Sequence, residues 1–372
     1  MTTGRVAVFS KPNSPMEIRE YKVPNPEPGA VIIKVSLCNI CGSDLHAWNG
    51  GFDLSSAGGK LPTVLGHEMV GKVHSLGEGV NKDSSGKTLQ VGDRVVFQYF
   101  YNCGKCANCL KGKTVSCYNR TMAMTENCDQ SPHFVGGYGD YFYLKPNHVI
   151  FKIPENLEDE IVSGINCATA QLIYGLKRVN LSFGETIVIQ GAGGLGIYAT
   201  AVAKEMGAHQ VIVIDGVKER LELVKEFGAD EVINMEDYKD SRSRVKAVKE
   251  LTNGLGADVV VELVGIPQAI DEGLKMLSLS GRYLVVGNIT KGAKVEIEPS
   301  KLVFGNRSII GVSTYEPQEL KESLDFISRT KDKYPYQKLF GSKFKLEDIN
   351  YAFELAAERR VTRASIIMTS DD

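Results

Sequence analysis

The stretch that most constrains the fold is Glu185-Thr-Ile-Val-Ile-Gln190 running into Gly191-Ala192-Gly193-Gly194-Leu195-Gly196. The apolar, β-branched run reads as a buried strand, and the Ala-rich segment after it, to about Met206 with Gly207 as its stop, reads as a helix. Glycines at this spacing let the backbone approach a pyrophosphate at a helix N-terminus, where unpaired N–H groups and the helix dipole favour an anion. Alone, such a pattern is weak, because glycine turns are common. Here Asp215 ends the next strand, about 20 residues on, where a carboxylate would accept the adenosine ribose hydroxyls. As a bare residue type it also suits a strand-end turn. Strands at Val211 to Ile214, Glu231 to Asn234, Asp258 to Leu263, Arg282 to Gly287 and Arg307 to Gly311 follow. Helices led by Lys218, by Arg244 to Leu251 and by Pro267 to Leu277 connect several of them. Residues 161–311 are therefore expected to form an α/β unit, a doubly wound parallel sheet of six strands with the Rossmann order.

A chain of 372 residues is too long for one ordinary core, so a second domain is expected. Residues 1–160 are mostly β in character. Val31 to Leu37, Met69 to Leu76 and Arg94 to Phe97 read as strands, with turns at Pro24 to Gly29 and Val91 to Asp93. The tail, 312–372, has an amphipathic helix near Leu346 to Glu358 and a last strand, Ala364 to Met368, and is expected to rejoin this first domain. With 43 basic against 45 acidic residues the net charge is -2, which offers no general attraction to nucleic acid or anionic membranes. A small-molecule partner is the expectation. The N-terminus lacks the apolar core of a signal peptide and no run approaches a membrane span, so the chain is expected in the cytoplasm. There, 8 cysteines are better explained by metal than by disulfides.

The cysteines cluster. Cys103-Gly-Lys-Cys106-Ala-Asn-Cys109 and then Cys117 lie on one short loop, able to wrap tetrahedrally around a zinc ion and leave no open position for a substrate. A zinc-ribbon reader of nucleic acid would normally bring a basic surface; Lys105, Lys111 and Lys113 are more simply a solvated loop face. The other constellation is Cys41-Gly42-Ser43-Asp44-Leu45-His46 with Gly66-His67-Glu68. Thiolate, imidazole and carboxylate suit zinc, and a serine, an aspartate and a second histidine beside them can handle protons.

These motifs, in this order over essentially the whole chain, resemble the zinc-dependent medium-chain dehydrogenase/reductase superfamily, alcohol dehydrogenase-like enzymes with a GroES-like catalytic domain. The resemblance implies two zinc ions per chain: a catalytic one on Cys41, His67 and a third ligand, and a structural one in the 103–117 lobe. Cys167, in Ile165-Asn166-Cys167, stands where the alcohol dehydrogenase branch has its last ligand; Glu68 would hold the ion when the site is empty. Cys38 forms a Cys-x-x-Cys with Cys41 but reads as a packed small residue, and Cys128 as a loop residue without a metal role. Ser43 and His46 would relay the substrate proton. Asp44 would either accept the spare N–H of His67 or cap a turn. Arg363 would lie near Glu68 and the cofactor phosphates or form a surface ion pair, and Arg220 would touch the ribose of NAD.

Two positions depart from the pattern: Gln171 stands where a threonine commonly touches the nicotinamide, and Gly42 where an Arg or His binds pyrophosphate. The implied activity is NAD-linked, reversible oxidation of a primary or secondary, mainly apolar alcohol, with Trp48, Phe52, Tyr99 and Phe100 lining its pocket or serving as core aromatics. A polyol, sugar or hydroxyacyl-CoA dehydrogenase of the same fold, and a non-catalytic zinc and nucleotide-binding relative, are the alternatives. A homodimer or homotetramer is the expected assembly.

Overall fold

The structure, a computed structural model, describes residues 2–55 and 58–368, so the outermost residues of the expected first domain lie outside the described residues. The chain divides into two compact units. One comprises Met1–Cys167, Glu316–Lys331 and Tyr336–Asp372, the other Ala168–Tyr315 and Asp332–Pro335.

The first unit is organised around the strand Val31–Asn39, whose side chains are nearly all buried. Along one edge Glu68–Leu76 pairs with it antiparallel over its whole length. Along the other, Tyr141–Leu144 takes the first half and Ala364–Ile367 the last residues, Ser365 opposite Asn39. The late strand Ala364–Ile367 thus joins the sheet centred on Val31–Asn39, as the tail pattern implies. The register also decides chemistry. Asn39 lies opposite Glu68, so the segments carrying Cys41 and His67 leave the sheet at the same end.

In the second unit six parallel strands lie in the order Glu231–Asn234, Gln210–Asp215, Thr186–Gln190, Ala257–Glu262, Leu277–Val285, Ser308–Gly311. Numbered along the chain this is 3-2-1-4-5-6, the dinucleotide-binding order, with the glycine loop leaving strand one where the order reverses. Val188, Ile212, Val260 and Tyr283 form the core on one side of this sheet, as continuous apolar strands covered by crossover helices require. The fifth strand starts at Leu277, earlier than its apolar pattern indicates, with a register irregularity between Leu277, opposite Ala257, and Arg282, opposite Val259.

The unit boundaries differ from those expected, for identifiable reasons. Residues 161–167 belong to the first unit because Ser163 and Asn166 are hydrogen-bonded into its strands. Residues 332–335 belong to the second, where Lys333 pairs with Glu205 and Tyr334 stacks on Phe227 at 5.7 Å. Helix Pro317–Thr330, not read from the sequence, buries Leu320, Leu324 and Ile327 at helical spacing.

Candidate metal centres

Cys41, His67, Glu68 and Cys167 each bring a donor atom to one place, all within 4.8 Å of one another. Cys41 precedes helix Gly42–Trp48, and Asp44 secures that start by accepting from the Cys41 N–H at 3.0 Å. The same carboxylate accepts from Tyr138 Oη at 2.9 Å and the Gly66 N–H at 3.2 Å, and its Oδ1 lies 3.3 Å from His67 Nδ1. It caps the helix and faces the ring, leaving His67 Nε2 turned toward the Ser43 hydroxyl at 3.4 Å. Cys167 sits in a π-helical turn, Ile165–Thr169, a local widening that commonly marks functional positions.

The electrostatics are those of a cation site. The Cys167 thiol hydrogen-bonds the Cys41 sulfur, which with His67 holds Cys41 well below the usual thiol range, while that bond and burial push Cys167 up. Burial works against charge on His67, but the Asp44 carboxylate and the Cys41 sulfur outweigh it and raise the ring to about 10. Two sulfurs, an imidazole and a carboxylate with their donor atoms within 4.8 Å of one another make a set that fits zinc. Glu68 is paired with the Arg363 guanidinium, both side chains almost wholly buried. Desolvation lowers Arg363 to about 10, and of its expected contacts the structure provides the glutamate.

Tyr99 packs its ring on His67, centroids 4.7 Å apart. Trp48 instead packs on Phe353, and Phe100 is buried edge-on to Tyr99, so both serve the core of their unit. Cys38 is fully buried and hydrogen-bonds the Asn39 carbonyl, and Cys128 lies buried in a loop; neither joins a donor cluster among the described residues.

The second cluster is Cys103, Cys106, Cys109 and Cys117. Sulfur separations of 3.5 Å (Cys106 to Cys109), 3.9 Å (Cys106 to Cys117) and 3.5 Å (Cys103 to Cys117) exclude disulfides. They match the edges of a tetrahedron about a zinc ion, about 3.8 Å for zinc–sulfur bonds of about 2.3 Å. The Lys105 backbone N–H and the Asn119 amide lower Cys103 to about 6, and the backbone N–H groups of Cys109 and Tyr118 lower Cys106, whereas desolvation and the Cys106 and Cys117 sulfurs raise Cys109. Helix Pro317–Thr330 reaches this lobe through Glu316, whose carboxylate accepts from the Val115 N–H at 3.1 Å and from the Thr114 hydroxyl.

In the second unit Gly193 precedes helix Gly194–Glu205. A Cβ on Gly196 would stand 1.9 Å from the Gly191 carbonyl oxygen, whereas one on Gly193 would enter open space, so the loop packs tightly on one side and is clear on the other, as a phosphate cradle must be. Leu195 is partly exposed in the helix's first turn. The Asp215 carboxylate accepts from the Ala192 N–H at 2.7 Å and the Val217 N–H at 2.8 Å, fastening the loop to the strand end. Arg220 lies in the first turn of helix Lys218–Glu226, and Gln171 is engaged with the Val312 carbonyl at 3.3 Å. Glu262, not singled out in the sequence, is fully buried and accepts from the Gly265 and Asn288 N–H groups, joining two loops at the same ends of the strands.

Residues 27–155 match the alcohol dehydrogenase GroES-like domain and residues 194–329 the zinc-binding dehydrogenase domain. An alcohol dehydrogenase of Geobacillus stearothermophilus is 31% identical over 99% of this chain and 100% of its own. The 5-exo-hydroxycamphor dehydrogenase of Pseudomonas putida is 30% identical over 95% of this chain and 96% of its own. The crystal structure of an alcohol dehydrogenase from Thermotoga maritima superposes with a TM-score of 0.92 at 28% identity, covering 99% of this chain and all of that one. The chain belongs to the zinc-dependent medium-chain dehydrogenase/reductase superfamily, and is an oxidoreductase of its zinc-type alcohol dehydrogenase family. No described helix is long and apolar enough to cross a membrane.

Proposed function

We propose that the protein is a zinc-dependent, NAD-linked dehydrogenase that reversibly oxidises a primary or secondary, mainly apolar alcohol to the aldehyde or ketone. The observation that carries this reading is the convergence of the Cys41, His67, Glu68 and Cys167 donor atoms beside the Ser43 hydroxyl. Cys41, His67 and Cys167 would hold the zinc ion, which would supply Lewis-acid polarisation of the substrate hydroxyl. The glycine loop Gly191 to Gly196 and Asp215 would hold NAD, which would supply the hydride acceptor.

The chain's own residues manage the proton. Ser43 Oγ would accept it from the hydroxyl as its own proton leaves by way of the nicotinamide ribose toward His46, three residues on along the same helix, which would pass it to water from its half-buried position. Asp44, with Oδ1 3.3 Å from His67 Nδ1, would orient the ring, and Arg363 balances the charge of Glu68 in a site that would otherwise hold an unpaired carboxylate. The apolar substrate class is supported by the Tyr99 ring against His67 and by a relative named for a hydroxycamphor. Coenzyme choice rests on Asp215, whose carboxylate repels a 2'-phosphate at close range.

The test is turnover of a panel of apolar alcohols, polyols and hydroxyacyl-CoA thioesters with NAD and NADP, read by absorbance of the reduced coenzyme, alongside zinc analysis. Turnover fastest with an apolar alcohol and NAD, at two zinc ions per chain, is the expected result; preference for a sorbitol-like polyol, or full activity with one zinc, would refute the reading.

A further inference from the structure

We propose that the side-chain amide of Asn166 is the positioning element of the four-donor site, setting the distance between the Cys167 segment and His67. This rests on the metal-site reading above. Strands Glu68–Leu76 and Arg94–Phe97 pair only at Gly71 opposite Val95 and Lys72 opposite Arg94. Beyond that point, toward His67, the ladder stops and the carbonyls that would have continued it need other donors. Asn166 Nδ2 supplies them. It donates to the His67 carbonyl at 2.9 Å and the Phe97 carbonyl at 3.2 Å, with the Met69 carbonyl at 3.5 Å.

The amide thus stands as a wedge between two diverging strands, fully buried, on the residue next to Cys167. Its backbone belongs to the π-helical turn that carries one ligand, and its side chain grips the peptide unit of another. Moving either segment stretches the same hydrogen bonds. A second clasp fixes the other flank. Asn39 Nδ2 donates to Ser163 Oγ at 2.7 Å, and Ser365 Oγ donates to Asn39 Oδ1 at 2.7 Å, with all three residues fully buried. Asn39 lies two residues before Cys41, and Ser163 four before Cys167. With this flank already held, the His67 side of the Cys167 segment depends on Asn166. Outer contacts of this kind orient ligands, and their loss commonly weakens a metal about 10- to 100-fold.

The experiment uses the full chain loaded with zinc, and then with cobalt(II) exchanged into the four-donor site, in the variants Asn166→Ser and Asn166→Asp. Serine is too short to reach the carbonyls. Aspartate keeps the shape but as a carboxylate cannot donate, so it carries the test should the serine variant not fold. Chelator competition reads the affinity of each site, and the cobalt absorption bands read ligand geometry. The expected result is about 10- to 100-fold weaker metal at the Cys41, His67 and Cys167 site with displaced cobalt bands, while the cysteine lobe keeps wild-type affinity as internal control. Wild-type cobalt bands and affinity in both variants would overturn the inference, leaving Asn166 a packing residue. A wild type that takes up metal only in the lobe would instead overturn the functional reading on which it rests.

Discussion

The two donor clusters of the first unit are built in opposite ways. In the lobe all four sulfurs come from residues 103–117, so one short loop closes the shell. At the other site the donors come from residues 41, 67, 68 and 167, and Arg363, which balances one of them, comes from near the end of the chain. A local, all-sulfur shell can form wherever its loop is, and so suits a structural role. A shell assembled by sheet register and buried amides exists only when the whole unit is folded, and its mixed donors leave chemistry open. Distance along the chain thus separates a locally closed shell from one that the fold assembles.

The contrast breaks most visibly at Cys41. The variant Cys41→Ser is expected to lose several kcal/mol of transition-state stabilisation, on the order of 10²- to 10³-fold in kcat/KM, while circular dichroism and the melting temperature stay close to wild type. Collapse of the fold in this variant would make both clusters structural.

Cys103→Ser should do the reverse. Losing the lobe's ion removes binding free energy that is folding free energy, so zinc content drops by one ion and thermal stability falls by several kcal/mol, roughly 2–4 °C for each. Turnover measured well below the new transition should persist.

Within the reaction centre, Ser43→Ala is expected to cost about 10²-fold in turnover with both zinc ions retained, since it removes a proton carrier and no ligand. Zinc loss in this variant would show that Ser43, 3.4 Å from His67 Nε2, serves the ligand set instead.

Asp215→Ser tests the second unit, where the wild type should favour NAD over NADP and the variant should give up roughly tenfold of that ratio, about 1.4 kcal/mol. Because Asp215 also holds the Ala192 and Val217 N–H groups, a fall in affinity for both coenzymes is expected alongside. Equal use of the two by the wild type would refute the assignment.

The smallest effect is expected where the lobe is tied to its unit. Glu316→Ala removes the acceptor for Thr114 and Val115 and should cost about 1 kcal/mol, with faster hydrogen exchange at residues 113–117 and 317–320 and no change in zinc content.

Much of this is legible in the sequence itself. The six parallel strands, the glycine loop and the return of the Ala364 strand follow from apolar periodicity and turn residues, because burial on a sheet leaves a period in the chain. The lobe was legible for the same local reason, its spacing being its geometry. Asn39, Asn166 and Glu262 were not, since a buried amide or carboxylate looks in sequence like any solvated one. The fate of the aromatics was equally hidden. Tyr99 and Phe100 are neighbours, yet one packs on His67 and the other is buried edge-on beside it.

By itself the sequence determined which elements form and which side chains have donor chemistry, because strand, helix and zinc-loop signals are local. Only the tertiary structure decided that Asn39 lies opposite Glu68, that residues 161–167 pack with the first unit, and that Arg363 meets a carboxylate from residue 68. The reason is physical: strand register and the pairing of buried polar groups are settled by the whole unit's packing and desolvation, and contacts between residues far apart in the chain leave no period along it.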